Sequence, residues 1–210
     1  MLAQVNAAAL YGISGTPIKV EVDVANGLPQ FNLVGLPDTA VREARERVRA
    51  AVKNSGFEFP SQRITVNLAP ADLPKEGPAF DLALAVGVLA ASEIAPLTDW
   101  ANAVFLGELS LDGSLRPIPG ILPLISCLQQ EGFGPFFVPN GNAAETSWIQ
   151  EAEVYALDNL VQVVEVLQGI REPIPVPQKI FAPRAQTTYS DFAQVRGQEH
   201  AKSEYVVCAL

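Results

Sequence analysis

The sequence predicts an α/β domain of two layers, a β-sheet and the helices that pack on it. Val20, Val22 and Val24 alternate with acidic residues, as in a strand with one solvated face. Residues 38–55 carry an apolar stripe at helical spacing, and residues 82–91 are apolar on every face, as in a buried helix. A meander of strands followed by alternating strands and helices is typical of this fold class.

The composition suits one substantial domain with a short extra piece. Of the 210 residues, 49% are hydrophobic and 18% are charged, which favours a packed core. The net charge of -9 argues against a protein that coats nucleic acid, so any such contact would be local. Without a basic and apolar leader, we expect no signal peptide, no membrane contact and a cytoplasmic protein. His200, Cys127 and Cys208 lack ligand spacing, so we expect no metal site.

The first third of the chain predicts three strands and one helix. The predicted strands are residues 2–10, 17–25 and 30–34, with a turn at 12–17. Asp38 is expected to cap the helix, which ends near Ser55 with Gly56 as its stop. The predicted buried stripe of the helix consists of Val41, Ala44, Val48, Ala51 and Val52.

The same helix carries a row of cations. At 100° per residue they form one stripe roughly a third of a turn from the apolar face: Arg42, Arg45, Arg49 and Lys53. On an acidic protein such a stripe is a candidate DNA contact that binds phosphate without reading sequence. The alternative is a plain solvated face, in which Arg42 pairs with Glu46 and Glu43 pairs with Arg47.

The stretch before the buried helix, residues 74–81, reads Pro-Lys-Glu-Gly-Pro-Ala-Phe-Asp. Pro78 is tolerated at a helix start because the donor that it lacks is unpaired there. Asp81 is expected to be a charge near the positive end of the helix dipole. Lys75 and Glu76 are interpreted as solvated loop residues, with an acid-base pair at the helix mouth as the alternative.

Later elements alternate between strands and helices. Asp112-Gly113 marks a hairpin turn between strands at 103–111 and 114–117. Asp158 is expected to cap the last helix, and Gly169 is expected to end it. The remaining predicted elements are strands at 63–68, 135–139 and 154–157 and helices at 120–131 and 159–168.

Two motifs resemble Lon-type proteases. Residues 74–79 look like the nucleophile loop Pro-Lys-Asp-Gly-Pro-Ser, and residues 106–120 look like the strand pair and turn that carry the catalytic lysine. The serine position falls on Ala79 and the lysine position on Leu122. Neither side chain can be a nucleophile or a base. The resemblance therefore implies a Lon proteolytic-domain-like fold, also seen in a small-subunit ribosomal protein domain, with no catalytic residues.

The chain as a whole resembles the ComM/YifB-type magnesium-chelatase-like AAA+ proteins of bacteria. Besides the two Lon-like motifs, Gly-Leu-Pro-Asp at 35–38 and Asn-Leu-Ala-Pro-Ala-Asp at 67–72 carry this resemblance. It implies a catalytically degenerate Lon-like domain, a Pro-rich linker and the truncated start of an AAA+ module. These segments are expected at 1–169, 170–188 and 189–210. Val195 and Gly197 would border the adenine pocket.

The resemblance implies a hexameric, ATP-dependent DNA helicase that promotes branch migration in natural transformation and recombination. ATP and Mg²⁺ are expected for the full-length protein. No cofactor is expected in this stretch, because the G-x-x-x-x-G-K-[ST] loop is absent before Leu210. The Lon-like domain would be a non-catalytic part of that motor. The alternative is a hydrolase whose nucleophile has moved to Ser110 or Ser114, without a nearby histidine as base.

Overall fold

The chain folds around a seven-stranded β-sheet with helices on both faces. The computed structural model describes residues 1–179 and Gly197, and Met1–Lys179 form one compact unit. The strands are β1 (Leu2–Tyr11), β2 (Ser14–Ala25), β3 (Gln30–Val34), β4 (Arg63–Ala69), β5 (Val104–Phe105), β6 (Glu108–Leu109), β7 (Leu115–Arg116), β8 (Phe136–Pro139) and β9 (Val154–Leu157). The α-helices are α1 (Thr39–Asn54), α2 (Asp81–Ala91), α3 (Ile121–Gln130), α4 (Ala143–Thr146) and α5 (Leu160–Leu167).

Within residues 1–179, all strands of the large sheet except β2 run in the same direction. The strand order is β3-β4-β2-β1-β5-β8-β9, and β2 is antiparallel to its neighbours β1 and β4. Strands β6 and β7 form a separate antiparallel hairpin. A mostly parallel sheet flanked by helices is the α/β class that the sequence predicts, so the predicted class is confirmed. The domain has three layers where the sequence predicts two, because helices cover both faces of the sheet.

Alternation of side chains along the strands builds a core on each face of the sheet. Phe105 and Phe137 belong to the larger core, which includes residues of α1, α2 and α5. Val104 and Val138 point to the other face and pack in the core around α3.

Along β4, and along β2 from Ile18 onward, only the face toward the larger core is buried, and the other presents polar side chains such as Asn67. Near the start of β2, Gly15 is buried on the other face against Leu124 and Cys127 of α3.

Helix α2 is buried along its whole length, as the apolar run predicts. Glycine at position 87 costs about 1 kcal/mol relative to alanine in a helix. It allows a close crossing, because a Cβ at Gly87 would lie 2.6 Å from Cγ2 of Val22 in β2. Among the residues that the structure describes, no helix has both the length and the apolar character needed to cross a membrane.

Helix α1 begins and ends where the sequence predicts. Asp38 is the N-cap, because its Oδ1 accepts a 2.7 Å hydrogen bond from the Val41 amide. Ser55 is the C-cap, and Gly56 follows with a φ of 84°. Every residue of the predicted stripe is buried: Val41, Ala44, Val48, Ala51 and Val52.

The predicted single strand at 103–111 is wrong, because it breaks at Gly107 between β5 and β6. The Gly107 amide donates to the Ala79 carbonyl, and the Gly107 carbonyl accepts from the Leu82 amide, both at 3.1 Å. At Gly107 the backbone therefore leaves the sheet and forms its hydrogen bonds with the segment that leads into α2.

Two boundaries also differ from the prediction. The turn between β1 and β2 is shorter than 12–17, because both strands continue to the tip of the hairpin. The N-cap of α5 is Asn159 rather than Asp158, because the Asn159 side chain accepts a 3.0 Å hydrogen bond from the Gln162 amide.

Part of the predicted linker lies along the edge of the sheet. The Val176 amide donates to the Val154 carbonyl of β9 at 2.8 Å, and Pro175 forms an isolated bridge with Tyr155. The compact unit therefore continues to Lys179.

The predicted start of an AAA+ module, residues 189–210, lies outside the described residues except for Gly197. Gly197 has a φ of 79°, in the left-handed region that favours glycine. Val195 is not among the described residues. The three-segment division and the adenine-pocket role of both residues stay predictions.

Candidate functional site

The loop between β4 and α2 is hydrogen-bonded on both sides. The Tyr11 hydroxyl donates to the Pro74 carbonyl. The Asp38 amide donates to the Lys75 carbonyl at 3.0 Å, and Oδ2 of Asp38 accepts from the Gly77 amide at 3.3 Å. Because Asp38 also caps α1, it couples the start of that helix to the loop.

Lys75 is fully buried, which corrects its interpretation as a solvated loop residue. Its Nζ donates to the Pro70 carbonyl within the same loop, which satisfies the buried amine. Burial lowers the pKa of Lys75, and the nearby Asp72 carboxylate opposes that shift. Glu76 is exposed, so the two neighbours occupy opposite environments, and a shared acid-base role has no support.

Asp81 belongs to a buried ion pair and is not a simple helix-terminal charge. It is fully buried and accepts hydrogen bonds from Nε and Nη2 of Arg47 at 2.7 and 3.0 Å. The Leu109 amide donates a third hydrogen bond at 3.2 Å. Burial raises the pKa of Asp81, and the Arg47 and Leu109 donors oppose that shift. The carboxylate that binds Arg47 is therefore Asp81, and not the Glu43 of the solvated-face alternative.

Ala79, which the sequence motif predicts at the position of the Lon nucleophile, lies in a short 3₁₀ turn, Pro78–Phe80, directly before α2. Its carbonyl accepts the hydrogen bond from Gly107, and its side chain packs against the core around α3. A methyl group at this point supplies no nucleophile.

Leu122, which the sequence motif predicts at the position of the Lon lysine, lies in the first turn of α3 and is 37% exposed. The segment before α3 is held by buried Asn142, whose side chain donates to the Ile118 carbonyl and accepts from the Ile118 amide at 3.0 and 3.1 Å. Ala79 packs against the same core as α3, so the fold brings both regions to one face of the sheet. Neither position carries a reactive group.

Comparison with known proteins identifies the family of the chain. The family described as subunit ChlI of Mg-chelatase matches residues 20–142, more than half of the 210 residues. The chain belongs to this ChlI family. The matched range of the ChlI-family domain contains Asp38, Lys75, Ala79 and Leu122.

Relatives match almost the whole domain. The uncharacterized protein YifB of Salmonella typhimurium is 42% identical over 202 residues, which are 96% of this chain and 39% of YifB. The competence protein ComM of Haemophilus influenzae is 39% identical over 212 residues, 99% of this chain and 41% of ComM. Lon protease 2 of Bacillus subtilis is more distant, 27% identical over 195 residues, 84% of this chain and 34% of the protease. The ChlI-family chain is thus of the ComM/YifB type and spans about two fifths of the length of these curated relatives.

The motifs that carry the ComM/YifB resemblance meet at Lys75. In the motif at 35–38, the Leu36 carbonyl accepts from the Lys75 amide at 3.2 Å. In the motif at 67–72, the Pro70 carbonyl accepts from the Lys75 amine. These bonds give the two motifs a shared structural role, because both hold the loop that leads into α2.

Ser110 and Ser114, the alternative nucleophiles, lie at the two ends of the β6–β7 turn. The Ser114 hydroxyl donates to Oδ1 of Asp112 at 2.7 Å, and the hydrogen bonds from Ser114 lower the pKa of Asp112. A carboxylate with a lowered pKa is a poor general base near neutral pH. The sequence has one histidine, His200, which lies far along the chain from the turn. The geometry therefore gives no support to a relocated nucleophile.

The predicted DNA-contacting stripe is exposed along α1: Arg42, Arg45, Arg49 and Lys53. The Arg42–Glu46 ion pair of the solvated-face alternative does not form in the structure, in which Oε1 of Glu46 accepts from Nε of Arg45 at 2.9 Å. Within residues 1–179 the structure shows no carboxylate partner for Arg42, Arg49 or Lys53. Contact of the stripe with DNA stays a prediction.

A site for ATP and Mg²⁺ would show as the phosphate-binding loop of AAA+ ATPases in the sequence or as a cluster of metal ligands among the described residues. No G-x-x-x-x-G-K-[ST] loop occurs in the sequence. Within residues 1–179, no group of three His, Cys, Asp or Glu side chains is arranged to hold a metal ion.

The ion pair between Arg47 and Asp81 is the main feature that the sequence pattern failed to predict. A signal was present, because Asp81 precedes an apolar run that had to be buried, and a buried carboxylate requires a partner. The i,i+4 spacing of Glu43 and Arg47 suggested a different partner for the arginine. Asn142 had no comparable signal, because its partner Ile118 is 24 residues away.

Proposed function

We propose that this ChlI-family chain is the non-catalytic N-terminal domain of a ring-forming AAA+ ATPase that acts on DNA. The observation that carries the proposal is the pair Ala79 and Leu122, which the Lon-like motifs predict at the two catalytic positions and which carry no reactive group. The intact loop around Lys75 supports a domain that keeps the scaffold for its shape. The name of the relative ComM, a competence protein, supports a role in natural transformation.

In this proposal the full-length protein is a cytoplasmic hexamer that uses ATP and Mg²⁺ to drive branch migration, a helicase activity in recombination. The ATP site would belong to the AAA+ module and not to residues 1–179. The ChlI-family domain would help to assemble the ring or to position DNA. Its buried charged groups are bonded within the domain, whereas the cations of α1 are exposed.

We propose that the α1 stripe is the part of this domain that contacts DNA. Arg42, Arg49 and Lys53 have no carboxylate partner in the described residues, although the chain carries a net charge of -9. Side chains of this kind bind the phosphate backbone and position DNA without reading its sequence. A ring would present six copies of the stripe, so weak contacts would add up.

Peptidase assays test the non-catalytic assignment. The 210-residue chain is incubated with casein and with a serine-directed covalent probe, beside the variants Ser110→Ala and Ser114→Ala. We expect no turnover and no labelling, because the dyad positions lack a hydroxyl and an amine. Turnover by the purified chain that disappears in either serine variant would establish a relocated nucleophile and overturn the assignment.

A further inference from the structure

A cavity of about 460 Å³ lies beside the α1 stripe, between that helix, β3 and the chain that leads into β4. Its volume falls in the range of about 300–1,000 Å³ that is typical of small-molecule sites. The residues that give the cavity its chemistry are three stripe cations and two aromatic residues: Arg45, Arg49, Lys53, Phe31 and Phe59. The fourth stripe cation, Arg42, lies on the same helix but outside this lining.

The cavity carries an excess of positive charge. Its lining carboxylate, Glu46, is bound to Arg45 at 2.9 Å. Arg49 and Lys53 therefore remain without a carboxylate partner among residues 1–179. Cations in a concave site with apolar walls concentrate positive potential there, which favours an anionic ligand.

Phe59 adds a flat apolar surface next to these cations. The Arg49 guanidinium lies 6.0 Å from the centroid of the Phe59 ring, a cation–π geometry. Phe59 and Phe31 are partly buried against the main core, so packing holds both rings in place. A fixed aromatic ring beside a cation is the kind of surface on which nucleic-acid bases stack.

We propose that this cavity binds a nucleotide, with its phosphate at Arg49 and Lys53 and its base against Phe59. This inference rests on the proposed DNA contact of the α1 stripe and deepens it, because it names an unpaired nucleotide as the ligand. A base inside a duplex is stacked on both faces and cannot reach Phe59 without leaving the stack. A free nucleotide offers the same phosphate and base as a nucleotide of a single strand, so the test includes both sources.

The test is a fluorescence titration of the 210-residue chain at low salt. The ligands are a short single-stranded oligodeoxynucleotide with one 2-aminopurine, the matching duplex, 2-aminopurine riboside monophosphate, and inorganic phosphate as competitor. Emission of 2-aminopurine changes when the base stacks, so it reports on contact with the ring as well as on binding. We expect the single strand to bind about fivefold or more tightly than the duplex, since one stacked base contributes roughly 1–3 kcal/mol.

Four variants separate the cavity from the rest of the stripe. Arg49→Gln and Phe59→Leu should each weaken single-strand binding by about five- to tenfold and reduce the emission change. Arg42→Gln should weaken monophosphate binding less than Arg49→Gln does. Lys19→Gln, an exposed lysine of β2, is the matched control and should leave binding unchanged. Circular dichroism checks folding, and exposed Arg49 keeps the test decisive if Phe59→Leu unfolds.

Tighter binding of the strand than of the monophosphate would identify a single strand as the ligand, and the reverse would identify a free nucleotide. If Arg42→Gln and Arg49→Gln lose the same amount of binding affinity and 2-aminopurine emission does not change on binding, the nucleotide cavity is overturned. Binding of phosphate along the stripe would still be supported. Absence of binding to the single strand and to the monophosphate would overturn the nucleotide cavity. The DNA contact of the stripe, which six copies in a ring would strengthen, is tested separately in the full-length protein.

Discussion

The two sides of helix α1 place arginines in opposite environments. On the inner side, the Arg47 side chain is 22% exposed and binds the fully buried Asp81. On the outer side, the Arg45 side chain is 51% exposed, and its partner Glu46 is 66% exposed. Positions two residues apart lie about 200° apart around a helix, so neighbouring arginines face opposite ways. The difference shows that a partner from another element, not the residue type, decides whether a cation is structural.

The energetic consequences differ as much as the exposures. An exposed ion pair contributes about 0–1 kcal/mol, since water screens it and two flexible side chains must be ordered. Removing one member of a buried pair leaves an uncompensated charge and is strongly destabilising. The inner side of α1 therefore serves the fold, whereas the cations of the outer side remain available for a ligand.

The largest expected effect is at Asp81. Asp81→Ala should lower the free energy of unfolding by about 3–5 kcal/mol, because it leaves the Arg47 guanidinium beside the core without a carboxylate partner, with only the Ala40 carbonyl as acceptor. Urea denaturation measures this. Glu46→Ala, which removes the partner of the exposed Arg45, is the matched control and should change the free energy by about 0.5 kcal/mol or less.

A second variant sharpens this contrast. Replacing both members, Asp81→Leu with Arg47→Met, should cost clearly less than the sum of the single changes, because no unpaired charge remains. Additive losses, or a loss for Asp81→Ala as small as that for Glu46→Ala, would show that the inner pair is as well solvated as the outer one.

Removing the N-cap of α1 should reduce the stability of the domain less than removing Asp81. Asp38→Ala removes the acceptor of the Val41 and Gly77 amides and should cost about 1–2 kcal/mol in thermal unfolding. Asp38→Asn should retain most of that stability, because asparagine caps helices about as well as aspartate. Equal losses in both variants would mean that the charge of Asp38 matters and its cap does not.

The smallest effect is a pH dependence at Lys75. Because burial lowers the pKa of Lys75, the unfolded chain binds this proton more tightly than the folded chain does. The contribution of Lys75 to the free energy of unfolding should therefore rise with pH. The rise should begin at the lowered pKa of the folded state and end near the ordinary value of 10.5. Urea unfolding across that window should show a shallower rise in Lys75→Met, whereas Lys53→Met, at an exposed lysine, should behave like the wild type. A wild-type slope in Lys75→Met would place the Lys75 amine in water.

Local patterns explain which parts of the fold were predictable. The alternation of apolar and acidic residues predicted which face of β2 is buried. The cap at Asp38 and the apolar stripe from Val41 to Val52 predicted helix α1. Each of these signals lies within one element. The burial of Lys75 and the break at Gly107 depend on partners in other elements. Those partners become visible only when the chain is folded.

The candidate site also has parts that the sequence predicts and parts that it does not. The motifs located the loop before α2, because sequence spacing carries that information. They also predict Ala79 and Leu122 at the two dyad positions, and that assignment stays a prediction. The cavity beside α1 was not predicted, since Phe59 comes after the helix and joins Arg49 only through packing. The exposed stripe itself was predictable, because helical periodicity separates it from the apolar face.

The division of α1 into a structural inner side and a binding outer side is tested most directly by the salt dependence of DNA binding. The variant Arg42→Ala/Arg45→Ala/Arg49→Ala is compared with the wild type in the full-length protein. The triple variant should stay folded and bind DNA more weakly, and the slope of log affinity against log salt should become shallower by about 2–3 units, as expected for three lost phosphate contacts. Unchanged affinity and an unchanged slope in the folded triple variant would contradict the division and leave the outer side of α1 as a plain solvated face.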